Sequence, residues 1–377
     1  MSEVVRAALA TVVEGKRLSL AESRAAMGSV MDGEATPAQL AALLVALRMR
    51  GETVDELAGF AAAMRDRVLR VAAPEGVIDT CGTGGDGSNS FNISTAAALV
   101  VASAGVPVAK HGNRAITSKS GSADVLEALG IRTDLGAEEA ARALREDGFA
   151  FLFAPGFQPA MRHAGPTRRE IGVRTAFNLL GPLTNPAGAR RQLVGVGDPA
   201  AAPRIAEVLR LLGAERALVV HGAGLDELPL DGSGVVYDVT PGGVTRHEVV
   251  AAELGLAAAP VSALTGGSPA ENAATVESIL GGTSGPGRDV VLLNAAAAFL
   301  AAGRATDLRD GIAMAAEAID GGAATRLLGR LRAAKAADDA AKAANDAAKA
   351  ANDAAKAAAE ASAGQAAAAQ SLEVTPA

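Results

Sequence analysis

Residues 79 to 122 bring together glycines, hydroxyls, amides and cations in a pattern suited to a phosphorylated ligand. The apolar pair Val77-Ile78 leads into the turn Gly82-Thr83-Gly84-Gly85-Asp86-Gly87. Glycines there let the backbone approach a ligand closely, and amides of such a loop can converge on an anion. Asn92-Ile93-Ser94-Thr95 then opens an Ala/Val-rich helical stretch. A helix start near Ser94 presents unpaired N–H groups and a positive dipole end to phosphate. The Ser94 and Thr95 hydroxyls can donate to phosphate or join a Mg²⁺ oxygen shell. Pro107-Val108-Ala109 leads to Lys110-His111-Gly112-Asn113-Arg114, and Lys110, Arg114 and Lys119 supply positive charge from what reads as the next loop. Asp86 would repel phosphate, so it either accepts from sugar hydroxyls or orders the loop.

Neither common nucleotide fingerprint accounts for this segment. No Lys-Ser/Thr follows the last glycine as a Walker loop requires. The spacing Gly82-x-Gly84-x-x-Gly87 occurs, but polar residues separate it from the helix, whereas a dinucleotide loop enters its helix at the third glycine. Downstream, Asp226-Glu227 follows the strand-like run Ala217-Leu218-Val219-Val220. Adjacent acids at a strand mouth are good hard ligands for Mg²⁺, though such a pair can equally be exposed loop. Arg168 follows Gly165-Pro166-Thr167 at a helix start, and its planar fork matches a carboxylate. The four histidines, His111, His163, His221 and His247, show no metal-ligand spacing, and lone Cys81 forms neither a zinc site nor an internal disulfide. No nucleophilic triad is present in the pattern.

Positioning these residues requires a sheet and its covering helices. Short Val/Ile-rich strands alternate with Ala/Leu-rich helices from residue 76, with strands expected at 150–153, 192–196, 217–220, 235–238 and 247–250. Residues 1–70 read as helical, with capping-box patterns at Ser19–Glu22, Thr36–Gln39 and Thr53–Glu56, Pro37 in a first turn and Gly51 as a stop. From Lys335 an Ala-Ala-Lys-Ala-Ala-Asn-Asp repeat predicts a solvated helix or frayed tail over 335–377, lacking the bulky positions of a coiled coil. A chain of 377 residues with 2% aromatics must pack its core from Ala, Val and Leu. A net charge of −7 argues against a nucleic-acid partner, and one cysteine suits a reducing cytoplasm. No run reaches the ~18 to 20 apolar residues of a membrane span.

Taken together, the motifs resemble the anthranilate phosphoribosyltransferase family, of the nucleoside phosphorylase-like class. The matching segments are Gly82-Thr83-Gly84-Gly85-Asp86, Asn92-Ile93-Ser94-Thr95, Lys110-His111-Gly112-Asn113-Arg114, Arg168-Arg169-Glu170, Gly181-Pro182-Leu183-Thr184-Asn185-Pro186 and Asp226-Glu227. They occur in family order from about residue 5 to 334. The resemblance implies an α/β fold: a small N-terminal helical domain (1–70, with a returning segment near 165–180) beside a larger α/β domain (71–334) with a central mixed sheet flanked by helices. The active site would lie in the cleft between them.

It implies roles as well. Gly82, Gly85, Asp86, Ser90, Asn92, Ser94, Thr95, Lys110 and Ser122 would hold phosphoribosyl pyrophosphate, with His111, Gly112, Arg114 and Ser118 completing the substrate-contacting set. Two Mg²⁺ ions are expected, one at Ser94 and one at Asp226 and Glu227. Asn113 and Arg168 would receive anthranilate, Arg168 facing its carboxylate and Pro182 lining the pocket. Lys110, Asn113 and Arg168 are the catalytic candidates, acting by charge neutralisation and positioning. A homodimer through the helical domain is also implied. One departure stands out: Gln158-Pro159-Ala160-Met161 replaces the family's usual His-Pro-Ala-Met. It keeps open a different aromatic acceptor, and a pyrimidine nucleoside phosphorylase is the alternative on the same fold.

Overall fold

The computed structural model describes residues 1–115 and 119–372. Four helices come first: α1 (Glu3–Val13), α2 (Leu20–Met31), α3 (Pro37–Arg50) and α4 (Val54–Arg65). Their starts are chemically specified. Ser19, Thr36 and Thr53 each accept from the amide three residues on, while Glu22, Gln39 and Glu56 return the bond to the cap residue's N–H. Pro37 occupies the first turn of α3 and Gly51, with φ +89°, ends it.

The remainder is built on one seven-stranded sheet. Its strands are β1 (Ile78–Gly82), β2 (Val108–Gly112), β3 (Phe149–Phe153), β4 (Arg191–Gly195), β5 (Arg216–Gly222), β6 (Gly234–Thr240) and β7 (Gly243–Val249). They lie in the order β3-β2-β1-β4-β5-β6-β7. β1 to β5 run parallel, and β5-β6-β7 are antiparallel, so the sheet is mixed. Strand order reverses at β1, whose neighbours are β2 and β4; ligands of open α/β sheets bind beyond the strand ends at such a switch.

The covering helices are α5 (Ile93–Ser103), α6 (Ser122–Ala128), α7 (Ala137–Glu146), α8 (Ala154–Phe157), α9 (Gly165–Ile171), α10 (Phe177–Leu180), α11 (Ala202–Leu211), α12 (Pro269–Leu280), α13 (Pro286–Ala302), α14 (Leu308–Asp320) and α15 (Ala323–Leu372). α5 and α13 are apolar on nearly every face because both sit inside one core cluster, packed from Ala, Val and Leu as the composition demands. A second cluster joins Leu40, Leu44 and Phe60 of the helical unit to Val194, Ile205 and Val219 of the sheet layer. The two units therefore share a core on that side rather than meeting at a polar seam. α9 and α10, within the stretch 165–180, pack on α3 and α4.

α15 begins at Ala323 and runs through residue 335 without a break. Leu327, Leu328 and Leu331 are buried, whereas every residue from 339 to 357 is exposed. Asp338, between these stretches, pairs with Arg132 at 2.5 Å. The repeat is thus the solvated continuation of a helix whose first turns belong to the core.

Candidate active site

The parallel register brings the C-terminal ends of β1, β2, β4 and β5 to one rim of the sheet. Gly82 ends β1 there, and the glycine turn spans the gap to α5. Gly82 is set by crowding: a Cβ would lie 2.3 Å from Asp226 Oδ2. Asp226 also accepts from the Gly84 N–H at 3.0 Å, so the acid after β5 and the loop after β1 are in direct contact. Asp86 orders its own loop, accepting from Ser88 N–H at 3.2 Å and Ser88 Oγ at 2.8 Å. It also accepts from the Asp226 N–H at 3.4 Å. Of the two readings of Asp86 left open by the sequence, loop ordering is the one these contacts display. Ser90 stands beside Ser88 Oγ at 3.3 Å.

α5 starts at Ile93, with Asn92 as its N-cap residue but without a side-chain cap bond. Asn92 instead links three segments: its amide donates to Ser120 O at 3.2 Å, and its Oδ1 accepts from Asn272 Nδ2 at 2.9 Å. The Ser94 N–H donates to Glu227 Oε1 at 3.1 Å. Thr95 Oγ1 is buried without a hydrogen-bond partner among the described residues.

Lys110 departs from the loop placement expected of it: it lies on β2, buried at 2% exposure, as do His111 and Gly112. Strand pairing, Lys110 with Phe151 of β3, carries the ladder past the point where the cationic run begins. The Lys110 ammonium donates to Thr80 O and, at 3.3 Å, to Ser94 Oγ. Burial pulls its pKa down, against the carboxylates of Asp79, Glu227 and Asp226. His111 donates its backbone N–H to Asp79 Oδ1 at 3.1 Å and sets Nδ1 3.1 Å from Gly181 O, while Nε2 has no partner among the described residues. Burial lowers its pKa, so the ring is held neutral.

The acidic pair has the opposite problem. Burial, aided by Asp86, pushes the Asp226 carboxyl up to about 6. Burial and Asp226 raise Glu227 well above the usual carboxylate range. Two close, buried carboxylates with one nearby ammonium form a site short of positive charge. Among the described residues no group of three or more His, Cys, Asp or Glu side chains is arranged to hold a metal. Two carboxylates and the Ser94 hydroxyl nonetheless fit Mg²⁺, which keeps several waters and takes further oxygens from phosphates.

The acceptor candidates sit to one side. Arg168, on α9, lays its guanidinium 4.6 Å from the centroid of the Phe177 ring and has no carboxylate partner among the described residues. Burial lowers its pKa. Pro182 is buried, its carbonyl accepting from Gln192 Nε2 at 2.8 Å. Asn113 O accepts from Ser122 Oγ at 3.3 Å, bringing these two candidates together. Arg114 turns elsewhere: it is bound by Glu127 at 2.6 Å and Asp124 at 3.1 Å, beside Phe153. Ser118 lies outside the described residues. Gln158 is buried, and neither atom of its amide has a hydrogen-bond partner among the described residues.

Two residues near these groups were not singled out from sequence. Asp79 is fully buried on β1, faces the charge of Lys110, and leaves Oδ2 unpartnered among the described residues. An acid inside an apolar strand was the available signal. Arg174 donates from Nη2 to Gly84 O at 3.1 Å, a contact ninety residues apart that no local pattern announces.

Comparisons with known proteins match this chain over most of its length. The helical bundle domain model of a glycosyl transferase family matches residues 6–68, and the a/b domain model of a glycosyl transferase family matches residues 74–325. The chain is 55% identical to the anthranilate phosphoribosyltransferase of Symbiobacterium thermophilum over 330 residues, 87% of this chain and 97% of the relative. It is 54% identical to that of Moorella thermoacetica, covering 86% and 96% of the two chains. Among solved structures, anthranilate phosphoribosyltransferase from Thermus thermophilus superposes with a TM-score of 0.82 at 48% identity, over 86% of this chain and 98% of that one. The Saccharomyces cerevisiae enzyme in complex with PRPP and Mg gives 0.81 at 27% identity, over 89% and 99%.

Proposed function

The chain belongs to the anthranilate phosphoribosyltransferase family, and we propose that the rim around Gly82, Ser94 and Lys110 holds its donor while Arg168 and Asn113 receive its acceptor. The enzyme transfers the 5-phosphoribosyl group from phosphoribosyl pyrophosphate to the amino group of anthranilate, releasing pyrophosphate, a step of tryptophan biosynthesis. The observation that carries the site assignment is the contact of Asp226 and Glu227 with the glycine loop and the start of α5.

In the reaction the bond from ribose C1 to the pyrophosphate oxygen breaks, a C1–N bond forms, and the amine gives up one proton. Anthranilate's amine is neutral near pH 7, so its lone pair is exposed without a strong base. The difficulty lies in the charge that develops on the leaving group. Lys110, fixed between Thr80 and Ser94, is a preorganised cation for that charge. Ser94, Asp226 and Glu227 would hold Mg²⁺, two ions per site in our reading, which supply further counter-charge to pyrophosphate when bound. Gly82, Gly85, Asp86, Ser90, Asn92, Thr95 and Ser122 shape and orient the donor, with His111 and Gly112 behind Lys110. Asn113 and Arg168 orient the acceptor, a contribution of positioning. The Arg168 guanidinium, without a carboxylate partner among the described residues, supports a carboxylate ligand, and the Gln158 amide, unsatisfied among them, supports a polar contact from the acceptor or a water beside it.

We read the enzyme as a homodimer. Val45 and Met49, one turn apart and exposed on α3, with exposed Val4 on the adjoining α1, support an interface on the helical unit. We place it in the cytoplasm, a reading supported by Cys81 being the sole cysteine and buried. No described helix is long and apolar enough to cross a membrane.

The test is to mix protein, phosphoribosyl pyrophosphate, anthranilate and Mg²⁺, and to follow anthranilate fluorescence with pyrophosphate release. Magnesium-dependent loss matched by pyrophosphate supports the assignment. Donor binding without loss would leave the donor site standing and overturn the acceptor assignments.

A further inference from the structure

We infer that Arg174 is a donor-site residue: it clamps the glycine loop and offers its guanidinium to the pyrophosphate end of the donor. The inference rests on reading Gly82–Asp86 as the donor loop. Arg174 lies between α9 and α10, in the stretch packed on the helical unit, and its side chain crosses to the loop after β1. There Nη2 donates to Gly84 O at 3.1 Å. The guanidinium lies flush on the loop, since a Cβ at Gly85 would fall 1.6 Å from Arg174 Nη1. Gly85 also has φ +71°, so both its backbone conformation and this contact require glycine.

The same residue of the loop is gripped from its other side. While Gly84 O accepts from Arg174, the Gly84 N–H donates to Asp226 Oδ2 at 3.0 Å. The loop is thereby held between an acid from the far side of β1 and a cation from the helical unit. No carboxylate pairs with Arg174 among the described residues, and its side chain is exposed. Of the five N–H donors of a guanidinium, those not given to Gly84 have no acceptor among the described protein groups. An uncommitted planar fork beside a loop that receives pyrophosphate is suited to bidentate contact with its oxygens. Arg174 also follows Arg168 by six residues. One short segment thus carries a guanidinium toward each substrate.

The experiment compares Arg174→Ala, Arg174→Lys and the wild type by calorimetric titration with phosphoribosyl pyrophosphate and by steady-state kinetics. Arg174→Ala should raise the donor Kd and KM by about ten- to a hundred-fold, the loss expected for a hydrogen-bonded charged partner. The KM for anthranilate should stay within about two-fold and Tm should be unchanged. Lys should recover part of the affinity, having the charge without the fork. An unchanged donor Kd in Arg174→Ala overturns the inference, as does an equal rise in both KM values with a lowered Tm. Wild-type protein that fails to bind the donor overturns the donor-site reading itself, and this inference with it.

Discussion

The Ser94 N–H and the Glu227 carboxylate meet at 3.1 Å, joining the first turn of α5 to the connection after β5 across 133 residues of sequence. In our reading of this rim as the donor site, that amide already has a carboxyl partner, which a donor phosphate would displace. The arrangement keeps Glu227 close to the loop while leaving its charge poorly compensated.

Asp226→Asn combined with Glu227→Gln should leave the fold intact and raise the Mg²⁺ concentration for half-maximal turnover by about ten-fold or more. Titrating Mg²⁺ against initial rate at saturating substrates checks it; an unchanged midpoint would count against the pair as the ion's ligands.

The Asp226 carboxyl, pushed up to about 6, gives a pH signature. Its folded-state pKa lies above the ordinary 3.8, so the stabilisation it brings is complete below that value and is lost as pH rises through about 6. Metal-free protein should accordingly lose up to roughly 3 kcal/mol from this group between pH 4 and 7. Melts in EDTA across that range should show a shallower decline for Asp226→Asn. Parallel curves would refute the assignment.

Arg168→Ala should raise the KM for anthranilate by about ten- to a hundred-fold while leaving donor binding near its original value. The guanidinium stacked on Phe177 has no anionic partner among the described residues, so its removal exposes no unpaired carboxylate there and Tm should barely move. An unaltered anthranilate KM would remove it from the acceptor site.

Gln158→Leu should stabilise the substrate-free protein by about 1 to 2 kcal/mol, because both amide atoms are buried without partners among the described residues. Gln158→His should alter the anthranilate KM more than the donor KM. If Gln158→Leu lowers Tm, a buried water satisfies the amide.

Removing residues 343–377 should change neither Tm nor kcat. The buried leucines of α15 and the Asp338–Arg132 pair all precede the cut, and the described residues beyond it up to 357 are exposed. A drop in either quantity would give the repeat a role that its exposure does not suggest.

How far the sequence could be read follows from the range of the forces involved. Capping boxes at Ser19, Thr36 and Thr53 are local chemistry, and the structure has all three. The mixed sheet and the small helical unit follow from alternating patterns and from the motif order of the family. Lys110 could not be placed from its neighbours, because a charged run looks like loop until pairing with Phe151 of β3 draws it into a strand. Asp79 and Arg174 went unread for the same reason. Their partners, Lys110 and Gly84, are assigned only by the tertiary fold. The continuity of α15 was hidden by a change of composition at residue 335 that the helix does not register.

The place of β1 has a consequence for how the enzyme is made. β1 pairs with β4 from Ile78–Arg191 to Gly82–Gly195, and Thr83 N–H donates to Gly195 O. A nascent chain emerging from its N-terminus presents β1, β2 and β3 long before residue 191 is available. Until then one edge of β1 is open, and the acid that crowds Gly82 has not been synthesised. The contacts of the glycine loop with Gly195 and Asp226 therefore form only after β1 to β3 have been made, and a chain interrupted before β4 is exposed to edge-to-edge association rather than left as a weakened enzyme.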